Sequence, residues 1–165
     1  MTAKVSYKQD GYSDITPYLI VKGASHAIEF YKKAFGATEI LRSEMPDGKI
    51  GHAELTIGDS KIMLADEFPA MKAFAPQKYG GSPVTLHLYV KDMDAVLAAA
   101  VKLGAKLTKP AEDMFYGDRS GSLEDPFGHN WYISTHIEDV SDEETQKRME
   151  KLYGSVDILP DLRSR

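Results

Sequence analysis

Cysteine is missing altogether from this chain. Its absence excludes disulfides, thiolate metal sites and a cysteine nucleophile, and with them a disulfide-stapled secreted scaffold. Long apolar runs are missing too: nothing approaches the ~20 residues of a membrane span, and the opening stretch has no apolar run of signal-peptide length. A cytoplasmic protein with no membrane partner is therefore expected. Basic charge is short, with 20 Lys and Arg against 25 Asp and Glu and a net charge of -5. That balance supplies no electrostatic footprint for a phosphate backbone, so nucleic acid is not an expected partner. What remains is 165 residues with 42% apolar content, enough for one compact domain with a sizeable core.

The periodicity along the chain predicts a strand over 15–21 and a helix over 25–35, with Ala27, Ile28, Tyr31, Ala34 and Phe35 on one face and Gly36 as its stop. A strand over 38–43 and a turn at Met45-Pro46-Asp47-Gly48 follow. Residues 50–57 alternate, placing Ala53, Leu55 and Ile57 on one face and His52, Glu54 and Thr56 on the other. Gly58-Asp59-Ser60 then turns the chain into a strand over 61–65.

The same order recurs from a strand over 84–90, followed by a helix that Asp92 or Asp94 can cap and that stops at Gly104. Thr16-Pro-Tyr-Leu-Ile-Val-Lys22 lies over Thr85-Leu-His-Leu-Tyr-Val-Lys91, and Phe35-Gly-Ala37 over Leu103-Gly-Ala105. Gly51 aligns with Gly121 and Gly58 with Gly128. Small slips between blocks are expected of a duplicated fold, because loops absorb insertions and strands do not. Each unit would carry a helix on one face of a small sheet, and two such units side by side make a cup.

Ala27-Ile-Glu-Phe-Tyr-Lys-Lys-Ala-Phe-Gly36, Gly51-His-Ala-Glu-Leu55, and Gly117-Asp-Arg-Ser-Gly121 followed by Asp125-Pro-Phe-Gly-His-Asn-Trp131 carry a family resemblance. Over roughly residues 14–136 the chain resembles the vicinal oxygen chelate superfamily, the glyoxalase, bleomycin-resistance and dioxygenase group, and within it the PhnB-like branch. The resemblance implies an α+β fold of two β-α-β-β-β modules forming a cup-shaped mixed sheet. Modules at 14–66 and 84–136, joined by residues 67–83, would make one domain between an extension at 1–13 and a C-terminal helix and tail at 137–165. It also implies a homodimer.

Enzymes of the superfamily hold a divalent metal on the first and last strands of each module. The positions expected to correspond here are Thr16, Ile62 or Met63, Thr85 and Tyr132. A threonine hydroxyl or a phenol is a poor ligand beside imidazole or carboxylate, and Ile or Met offers no hard donor, so no metal and no cofactor are expected at that site. Metal-polarised chemistry of the glyoxalase or extradiol kind then loses its electrophile or its iron. A displaced metal on His52, Glu54 and His87 is the alternative. As a non-metal group, His52 beside Glu54 could serve as an acid–base pair or as hydrogen-bonding anchors for a polar ligand.

Strand parity sends Tyr18, His87, Tyr89 and Tyr132 into the cup, with Phe115 and Tyr116 adding aromatic wall, while Trp131 turns to the core. Arg119, read as part of a loop, either clamps an anionic ligand or pairs with Asp118 or Asp125. His129 and His136 flank the last strand, either at the surface or supporting residues that contact a ligand. Residues 66–83 hold Phe68, Met71, Phe74 and Tyr79 among prolines and glycines, and either cover the cup as a lid or seal the module junction. Ser141-Asp-Glu-Glu144 is a capping box opening a helix to about Tyr153, whose stripe of Met149, Leu152 and Tyr153 must bury on its own body or on a second subunit. Three functions remain open: metal-free binding of a small ligand in the cup; a lyase, isomerase or dioxygenase-type enzyme using His52 and Glu54 or the displaced metal; and a dimeric interaction module without catalysis.

Overall fold

The computed structural model describes residues 5–154; residues 1–4 and 155–165, at the ends of the expected extension and tail, lie outside the described residues. The chain forms two modules of the same order. The first comprises β1 (Tyr18–Val21), α1 (Ala24–Phe35), β2 (Thr38–Glu44), β3 (Ile50–Ile57) and β4 (Ser60–Asp66). The second comprises β5 (Thr85–Tyr89), α2 (Met93–Lys102), β6 (Lys106–Asp113), β7 (Asp118–Glu124) and β8 (Asn130–His136), and α3 (Asp142–Tyr153) follows it. Strand order is β1-β4-β3-β2 in one sheet and β5-β8-β7-β6 in the other, with only the β1/β4 and β5/β8 pairs parallel. This is the α+β, glyoxalase-like duplication expected.

Alternation decides which face of each sheet is wet. In β3, Ala53, Leu55 and Ile57 are buried against α1 while His52, Glu54 and Thr56 are half-buried on the other side. One apolar core runs through both modules, from Leu19, Ile28 and Leu55 to Met93, Trp131 and Ile133. The junction is built on Asp125, which is buried and accepts the Tyr31 hydroxyl (2.7 Å) and the Trp131 indole N–H (2.9 Å) on one oxygen and the Phe127 and His129 amides on the other. Across the same seam, His129 Nε2 lies 3.1 Å from the Ile20 carbonyl.

The duplication extends to how each helix is tied down. Asp66, at the end of β4, accepts the Gly23 and Ala24 amides at the start of α1 through Oδ1 and the Ile50 amide through Oδ2. Thr135, near the end of β8, accepts the Met93 amide at the start of α2. In each module the last strand caps the helix, satisfying amides that have no partner within it.

Three expectations need correction. The first strand begins at Tyr18, because Ile15 is 86% exposed and finds nothing to pack on. Residues 118–124 are strand β7 rather than a loop; small side chains are used there because a Cβ on Gly121 would lie 3.0 Å from Leu97 of α2. Finally, Gly121 opposes Ile133 as Ala53 opposes Leu64, so the counterpart of Gly121 is Ala53, two residues beyond Gly51.

Candidate functional site

On the face of the first sheet away from α1 a chain of hydrogen bonds joins four side chains. Tyr18 Oη lies 2.9 Å from His52 Nδ1, and His52 Nε2 lies 3.1 Å from Glu54 Oε1. Glu54 Oε2 accepts the Tyr12 hydroxyl. A single tautomer serves both histidine contacts: Nε2–H donates to Glu54 and bare Nδ1 accepts from Tyr18. The Tyr12 and His52 bonds, in that order, hold the Glu54 carboxyl below its ordinary pKa against the opposing effect of burial. The bond to Glu54, with burial behind it, pushes Tyr12 up to about 12. Burial raises Tyr18.

The second module carries a different set on the equivalent face. His87 Nε2 is 2.8 Å from Ser134 Oγ, which is itself 2.8 Å from Ser120 Oγ. The His87 ring stacks on Tyr89 and meets Tyr132 edge-on, with centroids 4.6 and 5.1 Å away. Tyr89 donates to Asp118 Oδ2 at 2.8 Å, which raises its pKa, and His136 Nδ1 lies 2.8 Å from Asp118 Oδ1. Tyr116 and Tyr132 share a hydroxyl contact at 3.2 Å, and burial first, then that contact, carries Tyr116 up to about 12.

Tyr18, His52 and Glu54 thus come together, as do His87, Tyr89 and Tyr132. Arg119 does not join them. It sits on the helix side of β7, bonded through Nε and Nη2 to Asp94 and through Nη1 to Asp113, so the ion-pair alternative holds but with partners other than Asp118 or Asp125. Phe115 turns toward α3, edge-on to Tyr153. Tyr12 was hidden in the extension, where no periodicity marks it; His136 could have been found by carrying the cup parity of Tyr132 to the end of β8, and Asp118 lies opposite it on β7.

Residues 67–83 form two short 3₁₀ turns over the β1 edge. Beneath the first of them lies a cavity of about 400 Å³, walled by Tyr18, Ile20, Met45, Ala65, Phe68 and Met71 and rimmed by Lys49, Asp66 and Glu67. A second cavity, of about 430 Å³, separates the 7–16 segment from Glu54 and Met63. The connecting segment also touches the second module, since Asn130 Nδ2 donates to the Ser82 carbonyl. It therefore roofs one cavity and seals the junction at once.

The donors present do not fit the superfamily's metal. Thr16 precedes β1 and Thr85 pairs with Asn130 at the rim of the sheet. The residues that face each other across the parallel pairs are Tyr18 with Met63, and His87 with Tyr132, while Ile62 is buried in the core. The displaced set fares no better: His52 and Glu54 lie on the first sheet and bond each other, while His87 lies on the second and bonds Ser134. Among the described residues no three His, Asp or Glu side chains group as metal ligands would.

Two β-α-β-β-β modules joined through one core define a glyoxalase-like protein. Residues 14–133 match the model of the Glyoxalase/Bleomycin resistance protein/Dioxygenase superfamily, and the chain belongs to it. An uncharacterised protein of Mycobacterium bovis is 43% identical over 138 residues, covering 82% of this chain and 91% of that one. An Arabidopsis thaliana gene product of known crystal structure is 31% identical with a TM-score of 0.61, covering 74% of this chain and 98% of its own. The PhnB protein of Bacillus cereus shares the fold at 20% identity, with a TM-score of 0.60 over 74% of this chain and 99% of that one. Among the described residues no helix is long and apolar enough to cross a membrane.

Proposed function

We propose that this protein binds a small, planar or aromatic organic molecule in the cup of its first module, without a metal. The observation that carries the reading is the cavity of about 400 Å³ under the 67–73 segment. Its size falls in the range of small-molecule sites, and its makeup is that of such a site: apolar and aromatic walls with a few polar groups at the rim. Met45 and Met71 are flexible and polarisable, so they can close on flat ligands of differing outline. Tyr18 lines the cavity and leads directly into the His52–Glu54 pair, which offers a donor or acceptor at its edge.

A second reading is catalytic. The His52 Nε2 to Glu54 Oε1 contact of 3.1 Å is the geometry of an oriented acid–base pair, and it favours metal-free proton transfer to or from the bound molecule. The motifs around Asp125 and Trp131 support placement in the PhnB-like branch. A cytoplasmic homodimer accords with the exposed apolar residues on the β5 rim and on α3, where Val84, Leu152 and Tyr153 are all about 60% exposed.

Thermal-shift screening of small aromatic compounds in the presence of a chelator tests the binding reading. Wild-type protein should be stabilised by a subset of flat aromatics, and Tyr18→Ala and Met71→Gln should each remove most of that shift. Hits that persist unchanged in both variants place the ligand elsewhere and sink the proposal.

A further inference from the structure

The 5–16 segment is held to the first module chiefly by one side chain. Val5, Tyr7 and Ile15 are exposed, and Lys8 spends its charge on Asp14 within the segment itself. Gly11 lies beside the Lys61 side chain, and Tyr12 is the side chain that reaches the sheet. Its hydroxyl donates to Glu54, and Lys61 Nζ stands 3.7 Å from its ring centroid. A cavity of about 430 Å³ remains between the segment and the sheet, so this contact is local and does not belong to a packed core.

From this we infer that the Glu54–Lys61 pair is a phenol subsite, and that Tyr12 is its resident occupant, which an incoming phenolic ligand must displace. A neutral phenol supplies the two features the site recognises: a hydroxyl donor for an ionised carboxylate and a π face for an ammonium. Carboxylate and phosphate compounds are disfavoured, because Glu54 would oppose their charge. The subsite rests on the reading of the cup as a ligand site and adds its chemical class and a built-in competitor. Since the chain of contacts runs from Tyr12 through Glu54 and His52 to Tyr18, a phenol seated on Glu54 adjoins the apolar cavity beyond Tyr18.

The test is calorimetric titration of 4-methylphenol into wild-type protein, Tyr12→Ala, Tyr12→Phe and Tyr12→Ala/Glu54→Gln, with 4-methylanisole as the analogue that lacks the donor. Tyr12→Ala should bind 4-methylphenol about tenfold more tightly than wild type, the gain expected on removing a competitor seated about nine-tenths of the time. The double variant should lose that gain, and 4-methylanisole should show none. Tyr12→Phe keeps the ring over Lys61 and removes only the hydroxyl; it should give a smaller gain, and it decides the matter if Tyr12→Ala fails to fold. Equal affinity in wild type and the Tyr12 variants, or a gain that survives Glu54→Gln, overturns the inference. If other aromatics still respond to Met71→Gln, ligand binding stands and only the phenol subsite falls; if phenol binding gains as described while no hit responds to Met71→Gln, the reverse holds.

Discussion

At the scale of single residues, Asp125 has the most to do. It is a buried carboxylate receiving four donors, two of them from aromatic side chains of different modules, Tyr31 and Trp131. Burial, then the neighbouring Asp125 charge, raises the Tyr31 hydroxyl well above its ordinary pKa, so it remains a donor at any working pH. Asp125→Asn turns one acceptor oxygen into an NH₂ group facing other donors. The expected cost is about 2–4 kcal/mol, the range for a buried charge-assisted bond broken on one side; urea denaturation reads it, and a loss below ~0.5 kcal/mol would contradict the role. The sequence showed the Asp-Pro-Phe-Gly turn but not this convergence, because three of the four donors are set by local backbone geometry or by a helix some ninety residues upstream. Tyr12 was illegible for the same reason: a lone aromatic in an irregular segment carries no periodic signal. His52 and Glu54 were legible because strand parity alone fixes their face.

Elements show where pattern reading works and where it stops. β3 was read to its ends because its alternation is unbroken. β7 was missed because glycine at its core face and serines on the opposite face carry little apolar signal, and the smallness of Gly121 is explained only by the approach of α2. The turn before β7 also anchors the chain beyond the second module. Gly117 has φ +98, its carbonyl accepts the Ile137 and Glu138 amides, and a Cβ there would lie 2.0 Å from the Glu138 carbonyl oxygen. Gly117→Ala should therefore lift the 137–140 segment and α3 off the module and cost about 2 kcal/mol or more; unchanged stability with the Arg148–Glu138 contact intact would refute this. The same segment is pinned by His136, whose ring bridges Asp139 and Asp118 while Tyr89 shares the Asp118 carboxylate. The Asp139 bond first, then Asp118, raises the His136 pKa in the folded state. With the folded value above the unfolded one, the stabilisation is complete below the ordinary histidine value near 6.5 and is lost as pH climbs through the raised one. Hydrogen exchange at the Ile137 and Glu138 amides should accordingly speed up, beyond the intrinsic pH effect, across that window in wild type and show no such step in His136→Gln.

For the molecule as a whole, the duplication raises the question of whether the two modules are separate folding units. Their architecture could be read from sequence because each repeats the other's pattern, yet their joining could not, since it depends on α1 lying against Trp131 and Phe127. One continuous core and the Asp125 seam argue that neither module is stable without the other. The single tryptophan, Trp131, lies in β8 of the second module and packs on Tyr31 and Phe35 of α1, so it reports on the second module and on the seam. Leu55 is fully buried in β3 of the first module, and truncating it should cost about 2–5 kcal/mol through lost burial and the cavity left behind. If the modules unfold together, Leu55→Ala must move the Trp131 fluorescence transition and the far-ultraviolet circular dichroism transition to lower urea by the same amount, with both remaining coincident. If the modules are independent, the dichroism curve splits in two and the fluorescence curve breaks into two steps, the first marking loss of α1 from Trp131 and the second, at the wild-type midpoint, loss of β8. Coincident curves would also mean that a ligand held by the first module stabilises the second, because any molecule that binds only the folded state then raises the stability of the whole chain.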